Sequence, residues 1–213
     1  MFKFLKQKNN SSGFTLVETL VAIAIFTTSV VAMMVILGDS LSNLTYAKRK
    51  LTATYLAQEG VEYMRNLRDT YVLYSAPGET TNDAWNDFKA NVISKCGSIG
   101  CTFNIDDLPS SAFIYPSDQP IIDIVLTTCT LANNNVPCPY LYYDINTGEY
   151  NYVEIPSNTH SNSGFRRRIR VEADNVAYPN VDEIRVISTV FWIQGSGIYE
   201  TSFSESLFNW TKQ

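Results

Sequence analysis

Glu18 is the side chain of this 213-residue chain most in need of a chemical explanation. It is the single charge between Phe14 and Leu37, in a run whose other polar residues are threonines and Ser29. A carboxylate placed in hydrocarbon costs roughly 2.5–3.5 kcal/mol on insertion scales, so it calls for a partner. The preceding residues supply no basic group nearer than Lys8. A cut between Gly13 and Phe14 would create a positive α-amine a single helical turn before the carboxylate, and the amine of a neighbouring copy would then neutralise it. Gly13 suits such a cut, because it offers a peptidase a flexible site without a side chain. Ser11 and Ser12 keep that site out of the helix, and Ser12 also reads as an N-cap for the apolar run.

The remaining reactive side chains form no catalytic set. A single histidine, His160, excludes any mechanism that needs two. No G-x-S-x-G, H-E-x-x-H, Walker or G-x-G-x-x-G motif is present. His160 sits in a Ser/Asn-rich stretch that reads as a solvated loop. Asp106-Asp107 and Asp182-Glu183 are acidic pairs without the spaced ligands of a calcium loop. The four cysteines, Cys96, Cys101, Cys129 and Cys138, lack the paired C-x2-C knuckles of a zinc site. The local pairing Cys96–Cys101 and Cys129–Cys138 is the preferred one, and disulfides would place that part of the chain outside the cytosol. Neither enzyme activity, nor a cofactor, nor a metal is expected.

These residues must be positioned by a helix, a stapled connection and a sheet. Phe14 to Leu37 is apolar on all faces, unlike the stripe of a buried core helix. Its 24 residues, at ~1.5 Å each, reach ~36 Å and cross a ~30 Å hydrocarbon layer. A secretory signal would be shorter and would carry its small residues after the core. Lys3, Lys6 and Lys8 favour a cytoplasmic N-terminus, but Lys48, Arg49 and Lys50 weaken the charge rule from the other flank. Past residue 71 acids outnumber bases sixteen to eight, a poor general surface for nucleic acid or anionic lipid.

The stretch "GFTLVETLVAIAIF" closely resembles the N-terminus of type IV prepilins and of type II secretion pseudopilins. The features carrying the resemblance are a short basic leader ending in Gly13, Phe14 as the first mature residue, Glu18 as the fifth, and an apolar helix directly after. The resemblance covers residues 1 to about 70 and implies an order of events. A membrane-embedded prepilin peptidase and N-methyltransferase cuts after Gly13 on the cytoplasmic side and methylates Phe14. The apolar helix anchors the subunit in membrane lipid, then joins the filament core, with Glu18 meeting the amine of an adjacent subunit. Other pilin or pseudopilin subunits and an inner-membrane assembly platform are the implied partners. Some members bind calcium, and competence-associated members bind DNA. The second point gives Arg166, Arg168 and Arg170, which share one strand face, a reading as a DNA contact. A solvated face paired with the surplus acids is the plainer reading, and a nucleic-acid partner is not expected.

Helical patterning continues past Leu37 but becomes one-sided. Leu37, Leu41, Leu44, Leu51 and Tyr55 form a stripe expected to meet neighbouring subunits. Leu56, Gly60, Tyr63, Leu67 and Tyr71 form a second, rotated stripe expected to dock on the distal domain. No proline interrupts residues 14–71, and Gly38 is the one point of easy bending. Glu62–Arg65 and Arg65–Asp69 are helical ion-pair spacings. Pro77-Gly78 ends the helix, and a short helix is expected from about Ala84 to Ser94. "YLYYDINTGEYNYVEI" reads as a hairpin turning at Asn146-Thr147-Gly148, and its tyrosines suit either strand packing or an adhesive surface. "FRRRIRVEA", "DEIRVISTVFWI" and "IYETSFSESLFNW" read as strands, the middle one central.

The expected fold is therefore α+β and pilin-like, a long N-terminal α-helix packed against a C-terminal antiparallel β-sheet. Residues 1–13 are a cytoplasmic leader, 14–37 a transmembrane and filament-core helix, and 38–71 its amphipathic continuation. Residues 72–213 are an extracytoplasmic head, with a loop-rich connection over 72–139. Its 142 residues are many for an abundant shaft subunit and favour a minor or tip role. The alternative is a single-pass anchored, exported binding domain for DNA or a surface ligand that never polymerises.

Overall fold

The computed structural model describes residues 13, 15–73, 78–97, 99–103, 126–130, 137–152, 159–173 and 182–210. Residues 1–12, Ser12 among them, Phe14, Asp106-Asp107 and Pro77 lie outside them. Two compact units are present, Met1–Ala47 and Lys48–Gln213.

Helix α1 spans Leu16–Leu73 without a break. With no proline in the stretch, nothing removes a backbone donor, and the helix passes through both Gly38 and residue 55. In the first unit its side chains are exposed on every side, Leu20, Ile25, Val31 and Leu37 among them, and none is buried. This segment is long and apolar enough to cross a membrane. Thr15 stands at the N-cap position instead of Ser12. Its carbonyl accepts from the Thr19 amide and its hydroxyl accepts from the Glu18 amide at 3.3 Å.

In the second unit α1 is one-sided, as its pattern predicts. Ala53, Leu56, Ala57, Gly60, Val61, Met64, Leu67 and Val72 are buried, while Leu51 and Tyr55 remain exposed. Helix α2, Thr81–Cys96, is longer at both ends than expected: Thr80 and Asp83 form a reciprocal capping box at its start, and the Gly97 amide donates to the Ile93 carbonyl at its end. It buries Trp85, Phe88 and Val92 against Val61, Met64 and Leu67 of α1.

Among the described residues the sheet has seven antiparallel strands: β1 Cys101–Phe103, β2 Leu126–Thr128, β3 Tyr140–Asp144, β4 Tyr150–Asn151, β5 His160–Glu172, β6 Glu183–Gln194 and β7 Gly197–Phe208. Strand β5 is its spine, with β1 and β3 sharing one side and β6 the other. The β3–β4 hairpin turns where expected, and Gly148 takes the φ of 77° that the turn requires. Strand β6 is central between β5 and β7, and alternate residues Ile184, Val186, Ser188, Val190 and Trp192 are buried beneath the helix side. Five aromatic rings cross the sheet in sequence, Tyr143, Tyr150, Phe165, Trp192 and Tyr199, at centroid spacings of 5.1, 6.3, 6.2 and 5.7 Å.

Disulfides join Cys96 to Cys101 and Cys129 to Cys138, the local pairing. The first ties the end of α2 to the start of β1.

Candidate processing and assembly segment, and the seat of the helix

Gly13 is exposed, with open space on the side where a Cβ would point. The helix begins only at Leu16, so the Gly13 backbone lies outside it. Glu18 falls in the first turn, where a carboxylate meets the positive end of the helix dipole. With Thr15 it makes a T-x-x-E sequence, the pattern of a capping box. The threonine half of that exchange is formed. Sequence reading of Ser12 as the cap missed this signal, although the spacing is plain in "TLVE". The donor to Thr15 is the backbone amide of Glu18, and the local contribution of the carboxylate is to the helix dipole. Among the described residues it takes part in no salt bridge.

Further along, one residue of the arginine cluster organises the second unit. Arg167 is 1% exposed, while Arg166, Arg168 and Arg170 on the opposite face are partly exposed. Its guanidinium donates to the Leu56 carbonyl at 3.1 Å, the Glu59 carboxylate at 2.9 Å and the Tyr152 hydroxyl at 3.3 Å. It also lies 4.1 Å from the Phe103 ring centroid, on which Tyr63 of α1 stacks. Burial alone would depress its pKa, but the Tyr152 oxygen and Glu59 outweigh that, and the net shift is upward. Beside it, Gly60 approaches β6 so closely that an added Cβ would sit 2.4 Å from Ser188 Oγ.

The outward arginines depart from simple pairing with acids. Arg166 lies over the Tyr140 ring at 3.9 Å and Arg168 over Phe191 at 5.8 Å, and among the described residues Arg170 alone of the three forms a salt bridge, with Glu172 at 2.5 Å. Burial, then the neighbouring Arg170, lower the Arg168 pKa. His160 is not in a solvated loop. It opens β5, its side chain is 8% exposed, and Nε2 lies 3.6 Å from Asp144 of β3. Arg65 pairs with Glu62 and, at 2.5 Å, with Glu205 of β7, whereas Asp69 is taken by Arg68. The hairpin tyrosines are half-buried, and Tyr152 is used internally, accepting from Thr102 at 2.6 Å.

The class the fold defines is α+β and pilin-like: a long N-terminal helix, apolar in its first half, with an antiparallel sheet seated on its second half. Residues 8–37 match the family model of the prokaryotic N-terminal methylation motif. The N-terminus is that of a type IV pilin or pseudopilin, and the fold that follows is pilin-like. No curated protein and no solved structure gives a significant match.

Proposed function

We propose that the chain is a structural subunit of a type IV pilus or of a type II secretion-like pseudopilus. The observation that carries this reading is the methylation motif lying directly on a helix whose apolar side chains have no cover. In this reading residues 1–13 are a cytoplasmic leader, cut after Gly13 by a prepilin peptidase that also methylates Phe14. Residues 14–37 hold the subunit in the cytoplasmic membrane and later enter the filament core through an assembly platform. Residues 38–71 continue the helix, and residues 72–213 form the head outside, where an oxidising compartment keeps both disulfides closed. Glu18 meets the α-amine of an adjacent subunit. The size of the head supports a minor or tip position.

The test is the intact mass and N-terminal sequence of the protein from native membranes and from sheared surface material. A start at methylated Phe14, with the protein present in the sheared fraction, is the expected result. A start at Met1 in membranes alone replaces the proposal with an anchored binding domain. Two substitutions separate the two roles of Glu18. Glu18→Gln keeps a side chain able to complete a capping box, and Glu18→Leu does not. If the charge pairs between subunits, both variants are cleaved and neither assembles. Assembly by Glu18→Gln would leave the local capping role as the whole account.

A further inference from the structure

The face of the sheet turned away from α1 carries a cleft of about 330 Å³, lined by Glu172, Glu183, Arg185, Ser204 and Ser206. Glu205 also borders it, but its carboxylate pairs with Arg65 on the helix side. Register explains the cleft. Alternation in "SFSESLF" sets Ser202, Ser204, Ser206 and Phe208 on one face of β7. Across from them stand Thr189, Ile187, Arg185 and Glu183 of β6, and Glu172 of β5 meets Arg185 from the other side. The serines are short where Arg185, the glutamates and Phe208 are long, which leaves a trough over β7.

The polar groups of the trough are unevenly engaged. Glu172 pairs with Arg170 at 2.5 Å. Arg185 donates to Ser204 Oγ at 3.3 Å, and neither Arg185 nor Glu183 takes part in a salt bridge among the described residues. One carboxylate and one guanidinium are thus open, with no net charge between them. The Phe208 ring, 52% exposed, stands opposite Glu183 at one end. No group of three or more acidic, histidine or cysteine side chains among the described residues is placed to hold a metal ion.

We propose that this cleft binds a neutral pyranose unit of a glycan. Balanced charge selects neither a polyanion nor a polycation, and polar walls disfavour an apolar ligand. Neighbouring sugar hydroxyls answer both open groups at once: one donates to the Glu183 carboxylate and the next accepts from Arg185. Hydrogen bonds to charged groups are the strong ones, and the sugar brings no charge of its own to desolvate. Ser206 adds a hydroxyl that both donates and accepts. The exposed Phe208 ring gives the C–H face of the sugar a flat apolar surface at the end of the trough.

The experiment uses the purified full chain in deuterated dodecylphosphocholine micelles, because sugar-headed detergents would compete. Saturation-transfer difference NMR titrates the methyl glycosides of glucose, galactose, mannose and N-acetylglucosamine, with glucosamine, sialic acid and alanine as charged probes. Saturable binding of at least one neutral glycoside, tighter than that of any charged probe, is expected. Glu183→Ala and Arg185→Ala each remove a hydrogen bond to a charged group and should weaken it about tenfold or more. Phe208→Ser should weaken it several-fold, Ser206→Val should block the trough, and Glu200→Ala, outside the cleft, should change nothing. Near-UV circular dichroism checks that each variant is folded. Absence of saturable binding by every neutral glycoside overturns the proposal. So does tighter binding of a charged probe, or binding that survives both Glu183→Ala and Arg185→Ala in folded protein. Binding of a soluble glycoside requires neither cleavage after Gly13 nor a filament, so its failure leaves the pilin reading standing, and failed processing leaves the glycan site standing.

Discussion

Gly60→Ala sets two opposed effects against each other at the point where α1 rests on the sheet. In a free helix the change gains about 1 kcal/mol of propensity. Here the new Cβ would lie 2.4 Å from Ser188 Oγ, 3.1 Å from Ser188 Cβ and 3.2 Å from Arg167 Cδ. Rotation of the serine about χ1 relieves only the first contact. The second belongs to β6 itself, and the third to a side chain held by Leu56, Glu59 and Tyr152. Overpacking costs about 1–3 kcal/mol, and with two of the three contacts left after rotation the cost here falls in the upper part of that range, at roughly 2–3 kcal/mol, so the packing term wins with a net loss of about 1–2 kcal/mol. For a chain of this size that lowers Tm by roughly 2–8 °C. Ser188 Oγ is fully buried and has no hydrogen-bond partner among the described residues. Ser188→Ala alone should therefore be neutral or slightly stabilising. In that background Gly60→Ala should lose about 1 kcal/mol less, because the shortest contact is gone. Thermal unfolding of the four proteins in one detergent, followed by near-UV circular dichroism, reads the cycle. A Gly60→Ala protein as stable as the parent, or an equal penalty in both backgrounds, refutes the close-approach argument.

Arg167→Leu removes one member of a buried, hydrogen-bonded pair and should cost roughly 3 kcal/mol, with Arg167→Lys recovering only part because a single ammonium nitrogen cannot stand at both the Nε and Nη1 positions that meet Tyr152 on one side and Leu56 and Glu59 on the other; denaturant midpoints check both. Burial, then the neighbouring Tyr143, raise the Tyr150 pKa above its ordinary 10.0, while the Thr52 hydrogen bond opposes them. The folded chain thus keeps a proton that the unfolded chain has released, and stability should fall as pH rises past 10. Tyr150→Phe should flatten that decline in urea titrations between pH 8 and 11, and an unchanged slope would contradict the shift. Cys129→Ser with Cys138→Ser opens a loop of sequence separation 9 and should cost about 2–3 kcal/mol by loop entropy, read as a lower Tm.

The legibility of this chain follows how local each signal is. Strands β5, β6 and β7 announce themselves through alternation and the Gly195-Ser196 turn, and the hairpin at Gly148 through its turn residues. The docking stripe of α1 was visible at helical spacing, but its smallest members, Ala53 and Ala57, were not, because small residues carry little pattern. The arginine cluster misled in one respect. "FRRR" gives the alternation of faces, and Phe165, Ile169 and Val171 mark the face taking Arg167 as the buried one, yet nothing within β5 says how an arginine can be partnered there. That depends on Glu59, the Leu56 carbonyl and Tyr152, more than 100 residues upstream in the first two cases. His160 was misplaced for a related reason, since its cover comes from Asp144 on β3. At the N-terminus the motif was legible in full, while the cap was misread by three residues, as helix ends are set by whichever hydroxyl the first turn can reach.

The seat of α1 is a place where an apolar solution would have served stability but not position. Ala53, Ala57, Gly60 and Val61 form a smooth, small-residue surface, and such a surface meets a sheet about equally well after a shift of one helical turn. The same helix is apolar on all sides further towards its N-terminus, so hydrophobicity alone gives the sheet no reason to choose one segment over another. Arg167 breaks that degeneracy. Its guanidinium must find a main-chain carbonyl and a carboxylate one turn apart, and on α1 the Leu56 carbonyl and Glu59 supply both. A slid helix would leave a fully buried cation short of its acceptors, a penalty of several kcal/mol that small apolar contacts do not offset. Gly60 then allows the close contact with β6 that the fixed register demands. The polar pin selects the register, and the small residues let the helix occupy it.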